Sequence, residues 1–151
     1  MKTRQVRMPA IKRIALIAHD NCKGELLEWA SYNRGTLARH ELLATDTTGA
    51  LLAGELDLPV IRFKSGPLGG DQQVGARIAQ GEIDCVIFFW DPLRPHPHDV
   101  DVRALLRIAV LYNVSIACNR TTADFLIASP LLAGEYERTT IDYDDTLHSF
   151  S

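Results

Sequence analysis

The segment Ser65-Gly66-Pro67-Leu68-Gly69-Gly70-Asp71-Gln72-Gln73 puts a carboxylate at the mouth of a helix, behind a loop almost bare of side chains. Three glycines in five positions expose backbone N–H groups and permit positive φ. The helix start that follows adds its own free N–H groups and the positive end of its dipole. The segment reads as an anion pocket suited to phosphate, with Asp71 either capping the helix or pointing into the pocket as a base.

A second chemical centre is Asp91-Pro92-Leu93-Arg94-Pro95-His96-Pro97-His98-Asp99-Val100-Asp101, stiffened by three prolines and crowded with protonatable groups. His96, His98, Asp99 and Asp101 raise the question of a metal, but they match no familiar ligand spacing. Asp99 or Asp101 is expected to cap the helix that begins near Val102. Smaller polar groups stand elsewhere. His19 is either a satisfied structural histidine or a ligand contact, and Asp20 follows it. Lys23 falls in the first turn of a helix, where a cation opposes the dipole and an anion nearby would relieve the conflict. Thr45, Thr47 and Thr48 offer donors at another helix start, as caps or as an anion clamp.

The elements that must hold these groups alternate. Strands are expected at Ile11 to Ala18, Leu42 to Ala44, Pro59 to Phe63, Cys85 to Trp90 and Val114 to Ala117. Helical spacing follows each of them: through about Asn33, over Thr47 to Leu56, Asp71 to Gln80 and Val102 to Tyr112, and from Asn119. The alternation implies an α/β fold, a single doubly wound five-stranded parallel sheet with helices on both faces. The polar clusters follow the strands, so five loops are expected to converge on the rim where such sheets bind ligands. Residues 1–10 read as an N-terminal tail and 11–151 as one domain, with a peripheral segment from about 130.

Composition narrows the function. The 151 residues are 46% hydrophobic and 23% charged, enough for a real core. A net charge of −3 disfavours nucleic acid or an anionic membrane as partner. Cys22, Cys85 and Cys118 are odd in number and lack CxxC spacing, which suits a reducing cytoplasm. No apolar stretch of about 18 residues and no signal-type segment is present, so neither export nor membrane insertion is expected.

Ala18-His19-Asp20 with Lys23, the turn Thr45/Thr47/Thr48-Gly49, the Ser65–Gln73 segment, Phe88-Phe89-Trp90-Asp91-Pro92-Leu93 and Pro97-His98-Asp99-Val100-Asp101 together resemble the methylglyoxal synthase family, over about Ile14 to Pro130. The resemblance implies conversion of dihydroxyacetone phosphate to methylglyoxal and inorganic phosphate, a cytoplasmic bypass of glycolysis. It implies no cofactor and no metal, and an allosteric homohexamer inhibited by free phosphate. Carried over by position, Asp71 is the catalytic base, with His98 and Asp101 assisting proton transfer. His19 and His98 contact the substrate, while Lys23, Thr45, Asp46, Thr47, Thr48, Ser65 and Gly66 form the phosphate-holding set, and Asp20 and Asp91 orient the site.

Two departures bear on this. Asp46 stands where the family usually has glycine, so a carboxylate lies close to the phosphate turn; its side chain is expected to point outward. The tail from Asp142 to Ser151 lacks the late arginine that some relatives extend to a neighbouring subunit, which puts signalling by that route in question. The rival reading is a regulatory module of the same fold that binds small phosphoanions, needing the clamp but no base; a metal phosphohydrolase is a more distant one.

Overall fold

The computed structural model describes residues 2–144. In chain order its elements are β1 (Thr3–Met8), β2 (Arg13–Ala18), α1 (Lys23–Tyr32), α2 (Arg34–Leu37), β3 (Glu41–Ala44), α3 (Asp46–Leu56), β4 (Val60–Arg62), α4 (Gly70–Ala79), β5 (Cys85–Phe89), α5 (Asp99–Leu111), β6 (Ser115–Ala117), α6 (Arg120–Ala128), α7 (Pro130–Ala133) and β7 (Tyr136–Ile141). Short turns of 3₁₀ helix, Asp20–Cys22 and Gly66–Leu68, precede α1 and α4.

Five strands form one parallel sheet, as expected; their order is β4-β3-β2-β5-β6. Alternate residues of the central strands feed opposite faces. Ile14, Leu16 and Ala18 of β2, with Cys85, Ile87 and Phe89 of β5, pack against Leu26, Trp29 and Ala30 of α1, Leu52 of α3 and Ala123 of α6. Ala15, Ile17, Val86 and Phe88 face the other way, onto Val74 and Ile78 of α4 and Val102, Leu105 and Ala109 of α5. A strand buried on both faces can be apolar throughout, which explains the unbroken run Cys85 to Phe89.

The base of the sheet is locked by charge. Buried Asp84 accepts from the Arg13 backbone N–H at 2.8 Å and from its guanidinium at 3.1 and 3.2 Å, while its own N–H donates to the Arg13 carbonyl at 2.9 Å. This fixes the register of β2 against β5 at the end opposite the loops.

Residues 3–8 are not the tail that their polarity suggested. They form β1, antiparallel to β7, from Thr3 opposite Ile141 to Met8 opposite Tyr136. The segment after residue 130 likewise holds α7 and β7. Of the tail without the late arginine, residues 145–151 lie outside the described part of the chain.

Candidate active site

Strand order reverses beside β2, and the loops leaving the carboxyl ends of β2, β3, β4 and β5 enclose a cavity of about 390 Å³. His19, Asp20 and Lys23 line it from the first loop, Thr45 and Thr47 from the second, Ser65, Gly66, Pro67 and Asp71 from the third, and His96, Pro97 and His98 from the fourth. The fifth loop does not reach it. β6 lies at the sheet edge, and Asn119 caps α6, its side chain accepting from the Thr122 N–H at 2.9 Å.

Asp71 is not a cap. Gly69, at φ 103°, takes that position with the left-handed backbone that glycine tolerates, and places Asp71 one residue inside α4. Gly70 is required for a different reason: a Cβ there would collide with the Lys64 carbonyl oxygen. The Asp71 carboxylate is buried, and neither of its oxygens has a hydrogen-bond partner. Burial raises its pKa; the nearby His98 opposes that rise and Asp101 adds to it. The result is a desolvated carboxylate in the wall of the cavity, the environment of a strengthened base.

His19 is fixed in one tautomer. Its Nδ1 accepts the Asp91 backbone N–H at 3.0 Å, so in the neutral ring the proton sits on Nε2. Burial pulls its pKa down to about 4, helped by His96 and His98, so the ring is neutral near pH 7. Nε2 itself is buried without a partner. Asp91 holds this arrangement in turn, its carboxylate accepting from Asn21 Nδ2 at 2.9 Å and from the Leu93 N–H at 3.0 Å. His98 Nε2 lies 3.6 Å from Asp71 Oδ2.

The anion side is built from helix starts. Lys23 opens α1, its ammonium paired with the exposed carboxylate of Asp20. Thr45 precedes α3 and makes no side-chain capping bond, while Thr47 lies in the first turn, where N–H groups lack intrahelical partners.

Three expected site residues sit elsewhere. Asp46 points outward, pairs with Arg62 at 2.5 Å and does not line the cavity. Thr48 is buried beneath the turn and does not line the cavity. Asp101 faces a separate groove between α4 and α5, lined by Asp71, Gly75, Ala79 and Ala104. Neither Asp99 nor Asp101 caps α5: His98 holds that position, and the Asp99 carboxylate accepts the His96 N–H at 3.2 Å. His96, which the sequence suggested only as a metal ligand, also lines the cavity, and its spacing of two from His98 in a proline-stiffened segment was the available signal. Among the described residues, no group of three or more His, Cys, Asp or Glu side chains is arranged to hold a metal ion.

The fold and cavity define a class: a doubly wound α/β domain with an anion-holding rim set against a desolvated carboxylate and a neutral imidazole. Residues 25–118 match the family described as MGS-like domain. The methylglyoxal synthase of Leptospira interrogans is 58% identical over 141 residues, 93% of this chain and 95% of that protein. The methylglyoxal synthase of Saccharophagus degradans is 56% identical over 144 residues, 95% and 94% of the two chains. A solved structure of methylglyoxal synthase from Elizabethkingia anophelis superposes with a TM-score of 0.90 at 48% identity, covering 95% of each chain. The chain belongs to the methylglyoxal synthase family.

Proposed function

We propose that this chain is a carbon–oxygen lyase that converts dihydroxyacetone phosphate to methylglyoxal and inorganic phosphate. The observation that carries the reading is that the Asp71 carboxylate and the Lys23 side chain line one cavity. Lys23, Thr45, Thr47, Ser65 and the backbone at Gly66 hold the phosphate, leaving the hydroxymethyl end beside Asp71. Asp71 removes a proton from that carbon, and the electron pair moves toward the carbonyl to give an enediolate. Neutral His19 donates its Nε2–H to the developing oxyanion, a donor that needs no change of charge. The hydroxyl on the deprotonated carbon then gives up its proton and becomes the aldehyde carbonyl, the double bond shifts toward the other methylene carbon, and the bond from that carbon to the bridging oxygen breaks. Phosphate leaves with the electron pair and takes up that proton, and the resulting enolate takes a proton at its terminal carbon to become methylglyoxal. His98, beside Asp71, supports the proton transfers. Asp101 acts on Asp71 across the α4–α5 groove by its charge. Asp20 and Asp91 orient Lys23 and His19.

A positioned base contributes about 10² to 10⁴ in rate, and one oxyanion donor about 10² to 10³. Base and donor therefore share the work. Free phosphate competes for the same clamp and inhibits, and the working form is a homohexamer in the cytoplasm. Among the described residues, no helix is long and apolar enough to cross a membrane.

The test is to incubate chelator-treated protein with dihydroxyacetone phosphate and follow dicarbonyl and phosphate together. Equal release of both is expected. Phosphate with dihydroxyacetone would indicate a hydrolase, and tight phosphate binding without turnover would indicate a regulatory module.

A further inference from the structure

His96 lines the cavity, yet the chemistry above does not use it. Its ring lies flat against His19, with centroids 3.8 Å apart and planes 28° from parallel, while Phe88 meets another side of His19 edge-on at 5.1 Å. The His96 backbone is tied down by the Asp99 carboxylate, and its Nε2 is buried without a partner. His19 is thus gripped on one edge by the Asp91 N–H, packed by Phe88 and covered by His96, so that its Nε2 keeps a single aim.

We propose that His96 is a positioning residue for the proposed reaction, holding the His19 ring in plane and keeping it neutral while its Nε2–H serves as donor. The inference rests on the lyase reading above, in which His19 is the donor. Two effects support it. The stack excludes water from one face of His19, and water is what a charged imidazole would need. A proton on His96 also opposes one on His19, as a proton on His98 does, while Asp91 and Asp99 pull the other way. Asp71 and the Lys23–Asp20 pair share the same cavity. The two neighbouring imidazoles therefore protect the neutral donor against the carboxylates around it.

His96→Phe keeps a flat ring and removes the ring nitrogens; His96→Ala removes both. The imidazole ¹⁵N shifts of His19, followed against pH in the intact protein without substrate, report its tautomer and titration independently of turnover. Expected is a rise in the His19 titration midpoint in both variants, larger in His96→Ala. In His96→Ala, kcat is expected to fall roughly 10- to 10²-fold with KM changed far less, since the donor is mis-aimed while the phosphate clamp is intact. His96→Phe should recover most of kcat near pH 7 but lose it at higher pH than wild type on acidification. An unchanged His19 midpoint and tautomer in both variants would overturn the inference, whatever the activity. Altered His19 shifts in a protein that makes no methylglyoxal would instead overturn the lyase reading and leave the ring pairing standing.

Discussion

His98 Nε2 stands 3.6 Å from Asp71 Oδ2, and the backbone of Gly66 is pressed so close behind that a Cβ there would lie 2.7 Å from the same nitrogen. The glycine therefore does more than expose N–H groups to an anion. It leaves the space in which the imidazole reaches the carboxylate. In Gly66→Ala, His98 must move away from Asp71, while Gly66 itself is half-buried at the start of a 3₁₀ turn, outside the positive-φ region, where alanine is tolerated. Turnover should fall by about 10²-fold with a melting temperature close to wild type. A rate within twofold of wild type would show that the His98–Asp71 approach is dispensable.

Asp71→Asn should fold and lose about 10² to 10⁴ of turnover, because the amide has the shape of the carboxylate but no basicity. The pH dependence of stability supplies a second reading. Burial raises the Asp71 pKa above the 3.8 of an unfolded chain, so between these two values the native state binds more protons than the unfolded one. The contribution of Asp71 to stability is then complete below pH 3.8 and is lost as pH climbs through the raised folded value. Denaturant melts of the two proteins should show Asp71→Asn gaining on wild type across that window and holding the gain above it. A constant difference at every pH would mean that the carboxylate is not desolvated.

Asp46 looks hostile to a phosphate in the sequence, but its carboxylate is turned to Arg62, half-exposed. Asp46→Gly should leave the KM for dihydroxyacetone phosphate within about twofold. The surface ion pair is worth at most ~1 kcal/mol, so stability should change little. A large drop in KM, measured at low salt, would place the carboxylate in the phosphate field after all.

Lys23→Ala tests whether the clamp selects the product. Elimination requires the bridging C–O bond to stand out of the enediolate plane, and a firmly held phosphate fixes that torsion. With the cation gone, turnover should fall by about 10² or more, and glyceraldehyde 3-phosphate should appear beside methylglyoxal in a product assay. Slower formation of methylglyoxal alone would assign Lys23 to binding only.

The parallel sheet was legible because β5 is apolar throughout, β2 is apolar after Arg13, and helices of evident spacing follow them. The rim was legible because polar residues stand where each strand ends. Asp71 and Lys23 meet in one cavity as the sequence reading required. The ribbon was not legible. β1 has four exposed positions among its six, so Thr3, Arg4, Gln5 and Arg7 give no inward-outward alternation, and its partner lies more than a hundred residues away. Asp101 does not line the cavity; it borders the groove between α4 and α5, which Asp71 also borders. Thr48, in the first turn of α3, is buried below the neighbours that face the anion space.

The pairing of Thr3 with Ile141 has a kinetic consequence. During synthesis, residues 3–8 leave the ribosome first but find their hydrogen-bonding partner only when residues 136–141 emerge, after every strand of the parallel sheet has been made. Closing that long loop carries a large entropic penalty unless the sheet has already gathered its ends. The ribbon should therefore zip late, as the step that completes folding, and a chain arrested before residue 136 would carry an unpaired β edge while its catalytic rim is already complete.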